Sequence, residues 1–183
     1  MTKDYKQFIP KIFHEVDYLK DVPEALRITL ETSMRSGKGL YLHGNPGVGK
    51  THIACAILRK MVDMQLRVLF YNANDFLEEM KKEFENGVDY EARDVGIFEE
   101  AKKLNGILFL DDLGSEKSTE WTRERFCSLI NHRYEEMLPT IFTSNCDLEI
   151  LSVRMGERIV SRIVGMSTVL ELGGHDRRII TNA

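Results

Sequence analysis

The sequence predicts an α/β fold built on a parallel β-sheet. Short apolar runs with the length of strands alternate with longer segments in which apolar residues recur at helical spacing. One run, 107–110, is apolar at every position, which is typical of a strand buried on both faces of a parallel sheet. A glycine-rich turn joins an earlier run, 39–43, to a helical segment. This arrangement puts the turn at the edge of the sheet where α/β proteins bind ligands.

The glycine-rich turn carries the most specific motif of the chain. Residues 44–51 read Gly-Asn-Pro-Gly-Val-Gly-Lys-Thr and match G-x-x-x-x-G-K-[ST], the phosphate-binding P-loop. The glycines allow a tight curl in which successive backbone N–H groups point into one concavity, and the next helix adds its N-terminal N–H groups. We expect Lys50 to bind the β- and γ-phosphates of a nucleotide and Thr51 to bind Mg²⁺. The alternative is a glycine-rich turn that matches by chance.

Composition limits the class of protein further. A length of 183 residues suits one domain with a sizeable core, and a net charge of −4 requires any nucleic-acid contact to use a local basic patch. Three cysteines lie far apart without a C-x-x-C pair, which favours a reducing compartment and neither a disulfide frame nor a zinc site. No apolar run approaches the ~20 residues of a membrane span, and the polar N-terminus lacks a signal-peptide core. We therefore expect a cytoplasmic protein without membrane association.

The chain divides into a lead-in segment, residues 1–37, and one folded domain, residues 38–183. In the lead-in segment, Pro23 begins a predicted helix that ends near Met34. The domain's further predicted elements are strands at 39–43, 67–71, 107–110, 140–143 and 167–171 and helices at 53–62, 75–84, 91–103 and 121–137. We assign the apolar stripe of the last helix, which includes Tyr134, to core packing.

Two carboxylates follow the strand at 107–110 and form the second chemical landmark. Asp111 and Asp112 stand at the carboxyl end of this strand, where α/β sheets place ligands. Downstream of a P-loop, this pattern is typical of the Walker B strand. Asp111 would then hold Mg²⁺, and Asp112 would orient or polarise the attacking water. The alternative is a strand-to-turn junction, since Asp-Asp-Leu-Gly is also good turn chemistry.

Polar residues later in the chain leave two further choices open. Asn145 follows the next predicted strand and either holds the attacking water or a phosphate, or caps a turn. Arg154, Arg158 and Arg162 recur every four residues, so on one helix they would share a face. That face is either solvated or meets an anion, such as a phosphate of a neighbouring subunit's nucleotide.

Taken together, these residues resemble a known family. The segments 44–54, 107–116, 143–145 and 157–163 resemble the AAA+ ATPase domain of DnaC/DnaI-type replicative helicase loaders, over roughly residues 38–180. His52 after the P-loop threonine is typical of this branch, and the related IstB transposition helpers look similar. The resemblance implies a five-stranded parallel sheet of order 5-1-4-3-2, with helices on both faces and no helical lid domain. Arg177 or Arg178 would partly replace the arginine that such a lid carries.

The resemblance also assigns roles to individual residues. Asn145 would be the sensor 1 residue and Arg162 the arginine finger that reaches the next subunit's ATP, with Arg158 as a second candidate. The expected catalytic residues are therefore Asp112, Asn145 and Arg162, and the expected Mg²⁺ ligands are Thr51 and Asp111. The expected nucleotide-binding residues are Gly44, Asn45, Pro46, Gly47, Val48, Gly49, Lys50, Thr51 and His52.

The function implied is that of an ATP-dependent helicase loader in the initiation of DNA replication. Such a protein uses ATP and Mg²⁺, assembles into a spiral or ring, binds single-stranded DNA and delivers a replicative hexameric helicase. Its ATPase activity would be slow unless it is assembled. Lys81 and Lys82 are candidate DNA contacts, although both also suit an ordinary exposed helix face.

Two alternatives share the P-loop. One is an IstB-like ATP-dependent transposition helper that targets duplex DNA. The other is a P-loop nucleotide kinase, which would need an acceptor-binding lid that the sequence does not reveal. A GTPase is disfavoured because the chain has no [NT]-K-x-D motif.

Overall fold

Five parallel strands form one sheet in the computed structural model, which describes residues 10–85 and 96–174. The strands are β1 (Gly39–His43), β2 (Val68–Asn72), β3 (Ile107–Asp111), β4 (Thr140–Ser144) and β5 (Ser167–Glu171). Their order is β2-β3-β4-β1-β5, and every neighbouring pair is parallel. This is the order 5-1-4-3-2 counted from the other edge, so the predicted sheet is confirmed.

Eight helices accompany the sheet within the described residues. They are α1 (Tyr18–Asp21), α2 (Glu24–Arg35), α3 (Lys50–Asp63), α4 (Ala73–Glu85), α5 (Ile97–Lys103), α6 (Glu120–Glu135), α7 (Leu148–Met155) and α8 (Glu157–Met166), after a 3₁₀ helix at Lys11–Phe13. The predicted helix at 91–103 begins outside the described residues. Arg177 and Arg178 also lie outside them. Between β5 and Gly174 the described chain contains no helical lid. None of the helices in 10–85 and 96–174 combines the length and apolar character needed to cross a membrane.

Helices cover both faces of the sheet because strand side chains alternate between two apolar cores. Leu108 and Leu110 lie in one core with residues of α4 to α8, whereas Phe109 lies in the other with residues of α2 and α3. Leu30 of α2 is 1% exposed and belongs to the second core, so this part of the lead-in segment packs on the sheet.

A glycine divides the segment that carries the three arginines. Gly156 has φ of 100° and separates α7 from α8, so Arg154 lies on a different helix from Arg158 and Arg162. The prediction that these three residues share one helix face is therefore wrong. Arg154 instead donates a hydrogen bond from Nη1 to the carbonyl oxygen of Gly114, in the turn that follows β3.

Arg133 on α6 is a buried arginine, with 1% of its surface exposed. Among the described residues its guanidinium contacts no carboxylate but donates to neutral oxygens on three segments, and burial lowers its pKa to about 10. The acceptors are Oγ1 of Thr140 at 2.8 Å and the carbonyl oxygens of Ala101 at 2.8 Å, Leu104 at 3.2 Å, Gly106 at 3.0 Å and Pro139 at 2.9 Å. Arg133 thus joins α6 to the end of α5 and to the chain entering β3 and β4.

Replacing this arginine should destabilise the whole domain. We expect Arg133→Met to lower the free energy of unfolding by about 3 kcal/mol, because several buried acceptors lose their donor together. Urea denaturation followed by circular dichroism measures the difference. Arg123→Met, at an exposed position of the same helix, is the matched control and should change stability by less than about 0.5 kcal/mol. Equal urea midpoints for the two variants would contradict the assignment.

Candidate nucleotide-binding site

A cavity of 560 Å³ lies at the carboxyl ends of the central strands. The residues that line it are Phe13, Pro46, Gly47, Gly49, Lys50, Thr51, His52, Asn72, Asp111, Asp112, Thr143 and Asn145. Nine of these are predicted site residues, whereas Phe13, Asn72 and Thr143 are not. The predicted site residues Gly44, Asn45, Val48 and Arg162 are not among the lining residues.

The loop between β1 and α3 has the backbone geometry of an anion-binding turn. Gly47 and Gly49 have φ of 80° and 102°, a left-handed conformation that residues with a side chain rarely adopt. The helix α3 begins at Lys50, three residues earlier than predicted, and its N-cap is Gly49. Because glycine has no side chain to cap the first turn, the N-terminal N–H groups of α3 can bind phosphate oxygens.

Lys50 is buried beneath this loop, with 6% of its surface exposed. Its Nζ donates hydrogen bonds to the carbonyl oxygens of Gly44 and Asn45, both at 2.8 Å, and to Oδ1 of Asn145 at 2.7 Å. Gly44 and Asn45 thus contribute main-chain acceptors for the lysine, while Val48 is buried at 4% exposure. The ammonium group is held at the cavity wall, within the concavity that would receive the phosphates.

Two hydroxyl groups hold the carboxylate of Asp111. Thr51 Oγ1 donates to Asp111 Oδ1 at 2.8 Å, and Thr143 Oγ1 donates to the same oxygen at 2.6 Å. Burial raises the pKa of the Asp111 carboxyl group, against the opposing effect of these hydroxyls, and nearby Asp112 raises it further. Carboxylate and hydroxyl oxygens are the ligands that Mg²⁺ prefers, so this pair fits a magnesium ion.

Asp112 and Asn145 face the same cavity and contact each other. Asn145 Nδ2 donates to Asp112 Oδ1 at 2.7 Å, while the amide oxygen of Asn145 accepts from Lys50. The Asp112 backbone has φ of 58° and its N–H donates to Thr143 Oγ1 at 2.9 Å. A left-handed residue costs on the order of 1 kcal/mol and persists only where its surroundings fix it. Here the surroundings direct the carboxylate towards the phosphate loop.

The lead-in segment forms one wall of the cavity. The Phe13 ring packs edge-on against the His52 ring, with centroids 5.9 Å apart. On α1, Asp21 Oδ2 lies 3.3 Å from His52 Nε2. These contacts connect the residue after the P-loop threonine to a segment that the sequence divides from the domain. The four residues of α1 are too few to produce a helical period, so the sequence carried little signal for this wall.

The arginine-finger candidate lies elsewhere on the molecule. Arg162 Nε donates to Asn131 Oδ1 at 3.1 Å, and its guanidinium carbon is 4.8 Å from the centre of the Tyr134 ring. Arg158 is exposed. The DNA-contact candidates Lys81 and Lys82 are exposed as well, and Lys81 Nζ lies 5.4 Å from the centre of the Trp121 ring.

A parallel sheet of this order, with a P-loop after β1 and paired carboxylates after β3, defines a P-loop NTPase fold of the AAA+ type. A family described as IstB-like ATP binding protein matches residues 11–182, and the chain belongs to this family. The family description assigns ATP as the nucleotide.

The chain is also similar in sequence and structure to named proteins. The replicative helicase loader DnaI of Bacillus subtilis (strain 168) is 29% identical over 178 residues, covering 90% of this chain and 52% of that protein. An IS21 insertion-sequence ATP-binding protein of Pseudomonas aeruginosa is 29% identical over 148 residues, covering 78% and 53%. A crystal structure of the DnaC helicase loader has a TM-score of 0.73 at 30% identity, covering 90% of this chain and 100% of the other.

The resemblance to the DnaC/DnaI-type loaders and their IstB relatives is thereby confirmed. The chain spans about half the length of the curated relatives it matches.

Replacing the Asp111 carboxyl group should raise the stability of the protein and weaken its ligand binding. Its carboxyl pKa is raised on folding, so the folded state is favoured while the group is protonated, and this advantage is lost as pH rises through the raised pKa. At pH 7, above the ordinary pKa of an aspartate, burial of this group therefore lowers the stability of the protein without ligand. We expect Asp111→Asn to raise the free energy of unfolding by roughly 0.5–2 kcal/mol and to abolish the magnesium-dependent part of ATP affinity.

Urea denaturation without magnesium and calorimetric titration with ATP, with and without magnesium, measure the two effects. Asp63→Asn, at the exposed end of α3, is the control and should alter neither. An Asp111→Asn protein that is less stable than the parent and keeps its magnesium dependence would refute the assignment.

Proposed function

We propose that this chain is an ATPase that hydrolyses ATP slowly alone and faster when copies assemble. The observation that carries the proposal is the convergence of Lys50, Thr51, Asp111, Asp112 and Asn145 on one cavity. These side chains supply a phosphate-binding cation, oxygen ligands for a divalent metal, and a carboxylate–amide pair beside them. That combination serves phosphoryl transfer to water, in which positioning and charge stabilisation provide most of the catalysis.

Each residue has a distinct task in this proposal. The amides of the loop and of the first turn of α3 bind the phosphates, and Lys50 moves from the loop carbonyls to the phosphate oxygens. Thr51 and Asp111 would hold Mg²⁺, and the chemistry that the ion would supply there is neutralisation of charge on the phosphates. Asp112 accepts a hydrogen bond from the attacking water and orients it, while Asn145 fixes the Asp112 carboxylate.

The cavity is completed by a second copy of the chain. Arg162 does not line its own chain's cavity, and α8 presents it beside α6. We therefore assign Arg162 to the neighbouring subunit's ATP, where it stabilises the transition state in trans. A subunit on its own would then lack one catalytic cation, so hydrolysis would depend on assembly into a spiral or ring.

Two inactive variants should restore each other if this assignment is right. We expect Arg162→Ala to bind ATP normally and to lose about 10³-fold in assembly-dependent turnover, the lower limit for removal of an arginine finger. Lys50→Ala should fail to bind ATP. In a mixture, an Arg162→Ala subunit supplies the ATP site and a Lys50→Ala subunit supplies the arginine, so phosphate release should recover in part. Parental turnover by Arg162→Ala alone, or a mixture as inactive as its components, contradicts the proposal.

The client we propose is a replicative hexameric helicase, which the assembled protein delivers onto single-stranded DNA. Support comes from the similarity to DnaI over 90% of this chain and from the likeness to the DnaC helicase loader at a TM-score of 0.73. The second candidate is a transposition helper, favoured by the family match and by the IS21 relative. A nucleotide kinase is disfavoured, because the family match favours the first two functions.

Affinity capture separates these clients. The full chain, immobilised with ATP and magnesium, should retain the replicative hexameric helicase of its source organism and bind single-stranded more tightly than duplex DNA. Lys50→Ala is the control and should retain neither. Retention of an insertion-sequence transposase with preference for duplex DNA would instead support the transposition helper.

A further inference from the structure

Two residues of α6 that were not predicted as site residues, Asn131 and Tyr134, contact Arg162 on α8. We propose that Asn131 and Tyr134 are positioning residues that fix the orientation of Arg162 before it meets the neighbouring subunit's nucleotide. This inference rests on the proposed role of Arg162 in trans and adds the residues on which that role depends.

Asn131 fixes the Nε edge of the Arg162 guanidinium. Its Oδ1 accepts from Arg162 Nε at 3.1 Å, and its Nδ2 donates to Glu135 Oε1 at 2.7 Å. The bond to Glu135, one turn later on α6, fixes the amide so that its oxygen faces the arginine. Only Nε of Arg162 is engaged in a hydrogen bond to the described residues. Both terminal nitrogens therefore remain available for a pair of phosphate oxygens.

The Tyr134 ring contacts the same guanidinium group. The guanidinium carbon lies 4.8 Å from the ring centre, within the range of a cation–π contact. The ring lies so close to α8 that a Cβ atom built on Gly165 would come within 2.7 Å of Tyr134 Cε2. Glycine at this position thus makes room for the ring. Because Arg162 and Gly165 are three residues apart, they lie on the same side of α8.

These contacts are not needed to attach α8 to the domain. Ile159 and Ile163, at 2% and 0% exposure, already anchor α8 in the core that Phe126 and Leu129 of α6 share. Tyr134 is 37% exposed, so it is not the core residue that its place in the apolar stripe predicted. The effect of Asn131 and Tyr134 falls instead on Arg162, a long side chain that would otherwise lose rotational freedom on assembly.

Paired substitutions distinguish positioning from a purely structural role. Asn131→Leu and Tyr134→Leu each remove one contact and should lower kcat of the assembled ATPase about tenfold, the effect of one hydrogen bond or cation–π contact. KM for ATP and Tm should stay at the parental values. Tyr134→Phe keeps the ring and Asn131→Asp keeps the acceptor, so both should retain turnover within about threefold of the parent. Added to Arg162→Ala, neither leucine substitution should lower kcat further.

Assemblies that mix two variants show in which subunit Asn131 and Tyr134 act. Lys50→Ala subunits should raise turnover per Asn131→Leu subunit, because they contribute an Arg162 that is correctly held. Parental kcat in both leucine variants, while Arg162→Ala is impaired, would overturn this inference and leave the proposed function intact. Loss of activity that follows a fall in Tm and is not rescued by Tyr134→Phe would also overturn it. Parental turnover by Arg162→Ala would overturn the proposed function itself.

Discussion

The hydrogen bonds that Thr51 and Thr143 donate to the Asp111 carboxylate connect three parts of the chain that are far apart in sequence. The buried carboxylate needs these donors, because an ionised group without partners is costly to bury. The donors come from α3 and β4, which the sheet order brings beside the end of β3. Thr143 also accepts from the backbone of Asp112, so the same hydroxyl sets the direction of the second carboxylate.

The helix α6 connects the chain that enters β3 and β4, at the end of the sheet opposite the cavity, to the surface that carries Arg162. Arg133 attaches α6 to the chain entering β3 and β4, because its guanidinium donates hydrogen bonds to a threonine hydroxyl and to main-chain carbonyl oxygens there. Asn131 and Tyr134, on either side of Arg133 in sequence, face outwards and contact Arg162. Arg133 has no carboxylate partner in the described part of the chain, which makes its burial energetically demanding, and it holds in place a helix whose outer face contacts a second arginine.

The sequence predicted those features that depend on local chemistry. Lys50 and Asp111 stand in motifs whose spacing fixes their backbone context, and the strand order followed from a family resemblance. Thr143 was not predicted as a site residue because a threonine in a strand is ordinary, and its role depends on which strand lies next to it. The four-residue spacing of the three arginines predicted one helix, because such spacing does not reveal the helix break at Gly156. Tyr134 fitted an apolar stripe, because helical spacing does not distinguish a core residue from one that stacks on a cation.

The separation of Arg162 from its own chain's cavity has a consequence for stoichiometry. A site shared as proposed, with Arg162 acting in trans, would use two different surfaces, so identical subunits would stack head to tail and the two ends of an open stack would differ. One terminal subunit would then have a nucleotide cavity that no arginine reaches, and the other would present an arginine with no nucleotide to meet. An open spiral would contain one fewer complete site than subunits, whereas a closed ring would contain equal numbers. The ratio of hydrolysed to bound nucleotide in a single turnover would therefore report whether the assembly is open or closed.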